Sequence, residues 1–264
     1  MKTALRVLAG FVLLLVLACP ASALNLAEFQ VRFAELRSDG AAPEAILELA
    51  AEGLAAAGDD ADLKSAALTA KGYALYEQGD YEVARPVLEE AAELNAQAVL
   101  ARVALSNIYY SEERYKEAGE LLVQAGRNLS GQELQSIVFF RSGRYANLNR
   151  AIHVKNLWNE FDANPYAVGN KYSGGLVVRG TISEISPNAD KSPQVVFYID
   201  DSPLQRITCK FNKERIEKIK PLRKGQDVLI HGSISPEYSG EIVIDSANVE
   251  TTLPMEPLNL KDFQ

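Results

Sequence analysis

The chain has 264 residues with 47% apolar and 23% charged side chains, so a disordered chain is excluded and there is room for two ordinary domains. Lys and Arg number 27 against 35 Asp and Glu, a net charge of −8, which lacks the dominant basic footprint of a dedicated duplex-DNA binder. Two Cys and two His are too few for a disulfide scaffold or for a metal site built from those residues.

Residues 1–23 have the pattern of an export signal. Lys2 and Arg6 give a short positive start, residues 7–17 are an apolar run, and Ala21-Ser22-Ala23 is a small-x-small cleavage pattern that would leave Leu24 as the first mature residue. A membrane-spanning helix wants about 20 apolar residues, and Pro20 closes this run earlier. Val16-Leu17-Ala18-Cys19 offers a second reading, lipidation of Cys19, which would tether the protein to a membrane; Leu17 and Pro20 fit that motif poorly. The expectation is an exported protein, periplasmic in a Gram-negative cell. Cleavage after Ala23 leaves Cys209 as the remaining thiol, so no internal disulfide is expected.

Charge and composition change near residue 150. Residues 24–150 carry 12 basic and 20 acidic side chains and are rich in the helix formers Ala, Leu and Glu. Residues 151–264 carry 13 basic and 15 acidic side chains, with Val, Ile, Thr and Gly in alternating runs that favour strands. Helices followed by strands, without βαβ alternation, predict an α+β chain with separate parts. The boundaries expected are a helical domain at 24–150, a strand-rich domain with a leading helix at 151–255, and a tail at 256–264.

The helical half repeats itself. Residues 65–98 laid over the window from Val99 place Gly72 on Ser106, Leu75 on Tyr109, Tyr76 on Tyr110, Tyr81 on Tyr115, Ala84 on Ala118, Leu88 on Leu122 and Ala91 on Ala125, always 34 residues apart. Small residues at 72, 84 and 91 would let antiparallel helices approach closely, with Tyr81 packed over the turn. Helical spacing at 26–37 and 43–57, separated by Asp39-Gly40, adds a preceding pair. The pattern resembles the tetratricopeptide repeat in period and in small-residue positions. It departs from that family at Leu68 and Arg102, where Trp is usual, and at Ala96 and Ser130, where Pro often closes a repeat. The resemblance implies an α-solenoid of helical hairpins with a concave groove. Its lining would be Thr69, Tyr73, Tyr76 and Glu77 in one repeat, and Val103, Asn107, Tyr110 and Ser111 in the next. Such a groove would hold a peptide or helix of a protein partner; the plainer alternative packs Tyr76 and Tyr110 between repeats.

The second half predicts five strands, at 176–185, 194–199, 205–211, 226–235 and 241–249, with a short helix at 212–219 after the third. Val178 and Ile182 face one way, as do Ile207, Cys209 and Phe211, while Arg206, Thr208 and Lys210 face the other. Gly180 and Gly232 would allow a small barrel to coil, and Lys224-Gly225 suits a turn. Asp200-Asp201 reads as a hairpin turn rather than a metal pair. With Trp158, Phe161, Asn164 and Lys171-Tyr172 leading into VVRGTISEI, and with ITCKF and LRKGQDVLIHG following, residues 155–250 resemble the tRNA-anti-like OB family. That resemblance implies a C-terminal five-stranded OB-type barrel. It carries no ligand residues.

Chemistry-bearing motifs are sparse. No G-x-S-x-G, H-E-x-x-H, P-loop or C-x-x-C is present, and His153 and His231 stand apart. The expectation is a non-enzyme without cofactor or metal. One segment stands out: Lys210, Lys213, Arg215, Lys218, Lys220, Arg223 and Lys224 face only Glu214 and Glu217. It is either an anion site, with Phe197 and Tyr198 as candidate stacking aromatics, or a solvated amphipathic turn. The sequence therefore favours an exported, non-catalytic adaptor that binds a protein partner through the repeat groove, with the OB domain as a second interaction module. The alternative is an OB module for an anionic oligomer, either oligosaccharide or single-stranded nucleic acid; export disfavours nucleic acid.

Overall fold

The computed structural model describes residues 24–235 and 241–263. The expected export signal, with Cys19 and Ala21-Ser22-Ala23, lies outside the described residues. The chain is α+β. It divides into two compact units, one made of the described residues up to Ala104 together with those from Leu260 on, the other of Leu105–Asn259.

The first unit holds α1 (Leu26–Ser38), α2 (Pro43–Ala57), α3 (Ala61–Glu77), α4 (Tyr81–Leu94) and the beginning of α5 (Val99–Ser111). Each start has a local cause. Asn25 accepts a hydrogen bond from the Glu28 amide, Pro43 opens α2, and Asp60 accepts from the amides of Asp62 and Leu63. α3 packs against α1, α2 and α4. Gly72 lets Leu88 of α4 press onto α3: a Cβ there would sit 2.4 Å from Leu88 Cδ2. Ala84 and Ala91 are fully buried in α4, and Ser65 Oγ donates to the Ala91 carbonyl at 2.8 Å. Arg102 takes the place of an apolar anchor and donates instead to the carbonyls of Ala92 in α4 and of Asn95 and Ala98 in the turn between α4 and α5. Burial lowers the pKa of its guanidinium.

The second unit holds the rest of α5, then α6 (Tyr115–Arg127) and α7 (Gln132–Arg150). The 34-residue spacing persists: α4 begins at Tyr81 and α6 at Tyr115, while α3 ends at Glu77 and α5 at Ser111. The tyrosine pairs repeat as well, Tyr76 on Tyr81 at 5.2 Å and Tyr110 on Tyr115 at 5.8 Å, both at 49°. A separate solenoid, as expected from the resemblance, is not what forms. α7 packs beside the sheet's β2 strand, and its Arg144 and Asn147 donate to Thr251 and Glu250. Arg144 and Asn147 thus find their partners on the sheet and not on a further helical pair.

The sheet contains β1 (Ile152–His153), β2 (Leu176–Thr181), β3 (Glu184–Pro187), β4 (Pro193–Ile199), β5 (Ser202–Lys210), β6 (Asp227–Ile234) and β7 (Ile242–Leu253). Their order is β1-β2-β6-β7-β5-β4-β3. This corrects the expected five-stranded barrel: among the described residues the sheet has seven strands and is not closed, its order ending at β1 and β3. The cause is local. The expected strand at 176–185 breaks at Ile182-Ser183, where the Ile182 amide donates to Gln226 and the Ser183 amide to Val196. β2 therefore pairs with β6, and β3 with β4. β5 and β7 pair in parallel. The β4–β5 hairpin turns at Asp200-Asp201, whose φ values of 49° and 59° are those of a tight hairpin turn.

The helices α8 (Val154–Ala163) and α9 (Pro165–Lys171) lead into β2. Val154, Leu157 and Trp158 of α8 join Val178, Phe197, Ile207, Cys209, Val228, Ile230 and Ile244 in one core, and Trp158 packs on Phe161 at 5.7 Å. Gly180 serves this contact and not strand coiling as such: a Cβ there would lie 2.7 Å from Val154 and 3.1 Å from Phe197. Gly225 has φ +83° in the turn before β6, as Lys224-Gly225 suggested. Cys209 is fully buried, and burial pushes its thiol pKa well up, so it behaves as a small apolar side chain.

Candidate functional site

The eight residues expected to line a groove fall on α3 and α5. In the first unit Thr69 and Tyr73 are buried, Tyr76 is half-buried against Tyr81, and Glu77 is exposed. Tyr73 meets the edge of Phe33 at 5.9 Å and lies 5.1 Å under the guanidinium of Arg37. Burial is the main cause that raises its phenol pKa. Arg37 is itself buried and donates to two carbonyls of the C-terminal segment, Leu260 at 2.6 Å and Phe263 at 3.0 Å. Leu260 opens a short turn, Leu260–Asp262, and Phe263 follows it; the Leu260 carbonyl also accepts from the Phe263 amide. A guanidinium, with donors only, is suited to the two carbonyls.

In the second unit Asn107 is 4% exposed and grips one residue by both of its backbone groups. Its Nδ2 donates to the Leu258 carbonyl at 2.8 Å, and its Oδ1 accepts from the Leu258 amide at 2.9 Å. One turn along α5, Tyr110 Oη accepts from the Met255 amide at 2.7 Å, while its ring stacks on Tyr145 at 5.1 Å and 14°. Arg141 of α7 donates to the Glu256 carbonyl at 2.5 Å. Val103 is fully buried, and Ser111 donates to the Ile108 carbonyl of its own helix. Asn107 and Tyr110 thus stand together as the spacing suggested, and what they hold is the chain's own segment 255–258. Sequence reasoning missed Arg37 and Arg141 and treated residues 256–264 as a plain tail. Met255, Leu258, Leu260 and Phe263 are all buried; their irregular spacing matches neither a strand nor a helix, so no periodic signal in the sequence marked them.

The basic segment is different in kind. It runs from the end of β5 through a turn at Lys213–Arg215 and α10 (Ile216–Ile219) to the turn before β6. Lys213, Arg215, Lys218, Lys220, Arg223 and Lys224 are exposed, and Lys210 is half-buried. Three of the seven have local bonds: Lys218 donates to Asn248 at 3.2 Å, Lys220 pairs with Glu217, and Arg223 donates to the carbonyls of Lys220 and Leu222. Lys210 and Lys213 line a depression of about 580 Å³ with Asn188, Ser192, Asp190 and Asp245. Its charge is mixed. Hydrogen bonds from Ser192 hold the Asp190 carboxyl below its ordinary pKa.

The expected stacking aromatics are not both available. Phe197 is fully buried in the core, because β4 turns it inward, so it offers no face to a base. Tyr198 points outward and donates to Glu184 at 2.5 Å, a bond that raises its phenol pKa and lowers that of the carboxylate. His153 caps α8, its Nδ1 accepting from the Lys155 amide. Among the described residues no group of three or more His, Cys, Asp or Glu is placed to hold a metal ion.

The family model described as tRNA_anti-like matches residues 90–246. The chain belongs to the tRNA_anti-like family. That match begins in α4 and includes α5–α7 as well as most of the sheet, so the family's extent is not confined to the C-terminal domain that the resemblance at 155–250 suggested. The packing of α7 beside β2 is consistent with helices and sheet being one family unit. A crystal structure of a lipoprotein from Klebsiella pneumoniae subsp. pneumoniae MGH 78578, provisionally named as nucleic acid-binding, is similar at 18% identity over 39% of this chain and 93% of that one, with a TM-score of 0.32. At that similarity its name transfers no activity to this chain. No curated protein matches the sequence.

Proposed function

We propose that this tRNA_anti-like protein is a non-catalytic binding module of the cell envelope. It takes an extended segment of a protein partner against its tetratricopeptide-like helices, and its OB-type sheet serves as a second interaction surface. The observation that carries the reading is the grip of Asn107 on both backbone groups of Leu258. A primary amide has one donor side and one acceptor side, so it can replace a strand neighbour for one residue of an extended chain. Tyr110 and Arg141 extend the same grip to Met255 and Glu256. All three read main chain, which any peptide offers.

A second reading rests on the exposed cations. The side chains of Lys210 and Arg215 make no hydrogen bond or ion pair among the described residues, so an anionic oligomer, either oligosaccharide or single-stranded nucleic acid, would meet at least these charges without first breaking a bond. Salt separates the two. A ligand held by several Lys and Arg contacts weakens steeply between low and physiological salt, while a groove contact loses little. Partner capture from the envelope fraction is therefore measured across that salt range for the unsubstituted chain, for Asn107→Ala with Tyr110→Ala, and for Lys213→Glu with Lys218→Glu and Lys220→Glu. Capture lost in the first variant and kept in the second supports the groove. The reverse pattern, with steep salt dependence, replaces it with the basic segment.

A further inference from the structure

We propose that the depression at the start of β2 binds a small molecule that carries an oxyanion group, carboxylate or phosphate, on a compact apolar body. The site lies within the second unit and is separate from both the groove and the basic segment. It measures about 230 Å³ and is lined by Arg150, Tyr172, Gly174 and His231, with the apolar Leu176 and Val177 beside them. Three segments bring these groups together. Arg150 is the last residue of α7, Tyr172 and Gly174 belong to the turn between α9 and β2, and His231 stands on β6 directly across from Val177. Gly175 makes the approach possible. Its φ is +96°, and a Cβ there would lie 3.3 Å from the Gly232 carbonyl oxygen and 3.4 Å from His231 Nε2. The imidazole thus sits against bare backbone.

The donors here are unengaged. Arg141 and Arg144 of the same helix bond to Glu256 and Thr251, and His153 caps α8. The side chains of Arg150 and His231 make no hydrogen bond or ion pair among the described residues, and the Gly174 amide makes none either. Arg150 sits where a cation suits the carbonyl end of a helix, yet its guanidinium bonds to none of those carbonyls. No lining residue is acidic. Tyr172 is committed elsewhere: its Oη donates to Glu160 at 2.9 Å, and Lys171 Nζ pairs with that carboxylate at 2.9 Å. A guanidinium offers parallel donors that match two oxygens of one carboxylate or phosphate, and an imidazole N–H adds a donor from another side. Convergence separates this place from the basic segment. There the cations spread over exposed turns, and those in a depression share it with Asp190 and Asp245. Here two donors share a concave site with no counter-charge, beside apolar side chains on which the body of a ligand can rest.

The test titrates phenyl phosphate, benzoate and the uncharged benzyl alcohol into the full-length chain, followed by NMR at the His231 ring and the Gly174 amide. At least one of the two anions is expected to give saturable shifts at both places, and the one that saturates at lower concentration names the oxyanion. Benzyl alcohol is expected to give none. Arg150→Gln should weaken the binding by at least about tenfold, the equivalent of one charged hydrogen bond. Arg150 and His231 are both exposed, so the fold should tolerate their replacement. Should Arg150→Gln disturb amides away from the site, His231→Gln decides by the same criterion. The proposal is overturned if neither anion gives saturable shifts, if benzyl alcohol binds as well as the anions, or if Arg150→Gln folds and binds as before. It is also overturned if reversing the charges of Lys213, Lys218 and Lys220 abolishes the binding while Arg150→Gln does not, since the anion would then sit on the basic segment.

Discussion

Asn107 in α5 and Lys213 after β5 are both polar side chains, and they meet opposite demands. Asn107 is 4% exposed and must find partners for its donor and its acceptor; it finds both on Leu258. Lys213 is exposed, so water satisfies it whether or not a ligand comes. The same contrast separates the two surfaces. On the helices, burial turns polar groups into specific bonds to an extended backbone. On the basic segment, exposure leaves the cations with short local bonds or none. A buried polar residue on a helical face therefore says more about binding than a run of surface charge does, because its partners are obligatory.

The largest expected effect shows what holds the sheet while its cations stay outside. Trp158 is 8% exposed under α8, and Trp158→Ala should cost about 3–5 kcal/mol in a denaturant titration; an unchanged midpoint would mean that the ring is not packed. Of similar size is the effect in the groove itself. Asn107→Leu strands the Leu258 amide and carbonyl in a buried setting, at about 1–3 kcal/mol each, so urea unfolding should shift by about 2–6 kcal/mol. Ala118 is fully buried at the crossing of α6 with its neighbours, and Ala118→Leu should overpack it by about 1–3 kcal/mol, as should Ala84→Leu. Tyr110→Phe keeps the ring stack on Tyr145 and removes one acceptor, for about 1 kcal/mol. At the small end, Lys213→Glu with Lys218→Glu and Lys220→Glu should stay within about 0.5 kcal/mol per site. A large loss there would erase the contrast between the two surfaces.

Much of the architecture was legible in the residues. The 34-residue offset placed α3 to α6, because small residues at the helix crossings recur wherever helices must touch, as Gly72 does against Leu88. Alternation located the strands, since Ile207 and Cys209 point into the core. The break of the first strand was not legible: Ile182 and Ser183 continue the alternation while their amides bond to Gln226 and Val196 on different neighbours. β1 is two residues long and carries no periodicity. On α5 helical spacing put Asn107 and Tyr110 together, but Arg141, which holds Glu256, lies on another helix and was bound to be missed; in the other unit Arg37, which holds Leu260, was missed for the same reason. Nor could composition reveal that residues 255–263 pack, since Leu258 is buried by what it meets and not by a local pattern.

The central claim is that Asn107 fixes the tail through the Leu258 backbone, and site-resolved amide hydrogen exchange at Leu258 and Met255 in the full-length chain tests it most directly. Both amides should be protected in the unsubstituted protein and in the Lys213, Lys218 and Lys220 charge reversal. Protection at Leu258 should fall sharply in Asn107→Ala while the amides of the β2–β6 pair keep theirs. Rapid exchange at Leu258 in the unsubstituted chain, or protection there that Asn107→Ala leaves unchanged, would contradict the account.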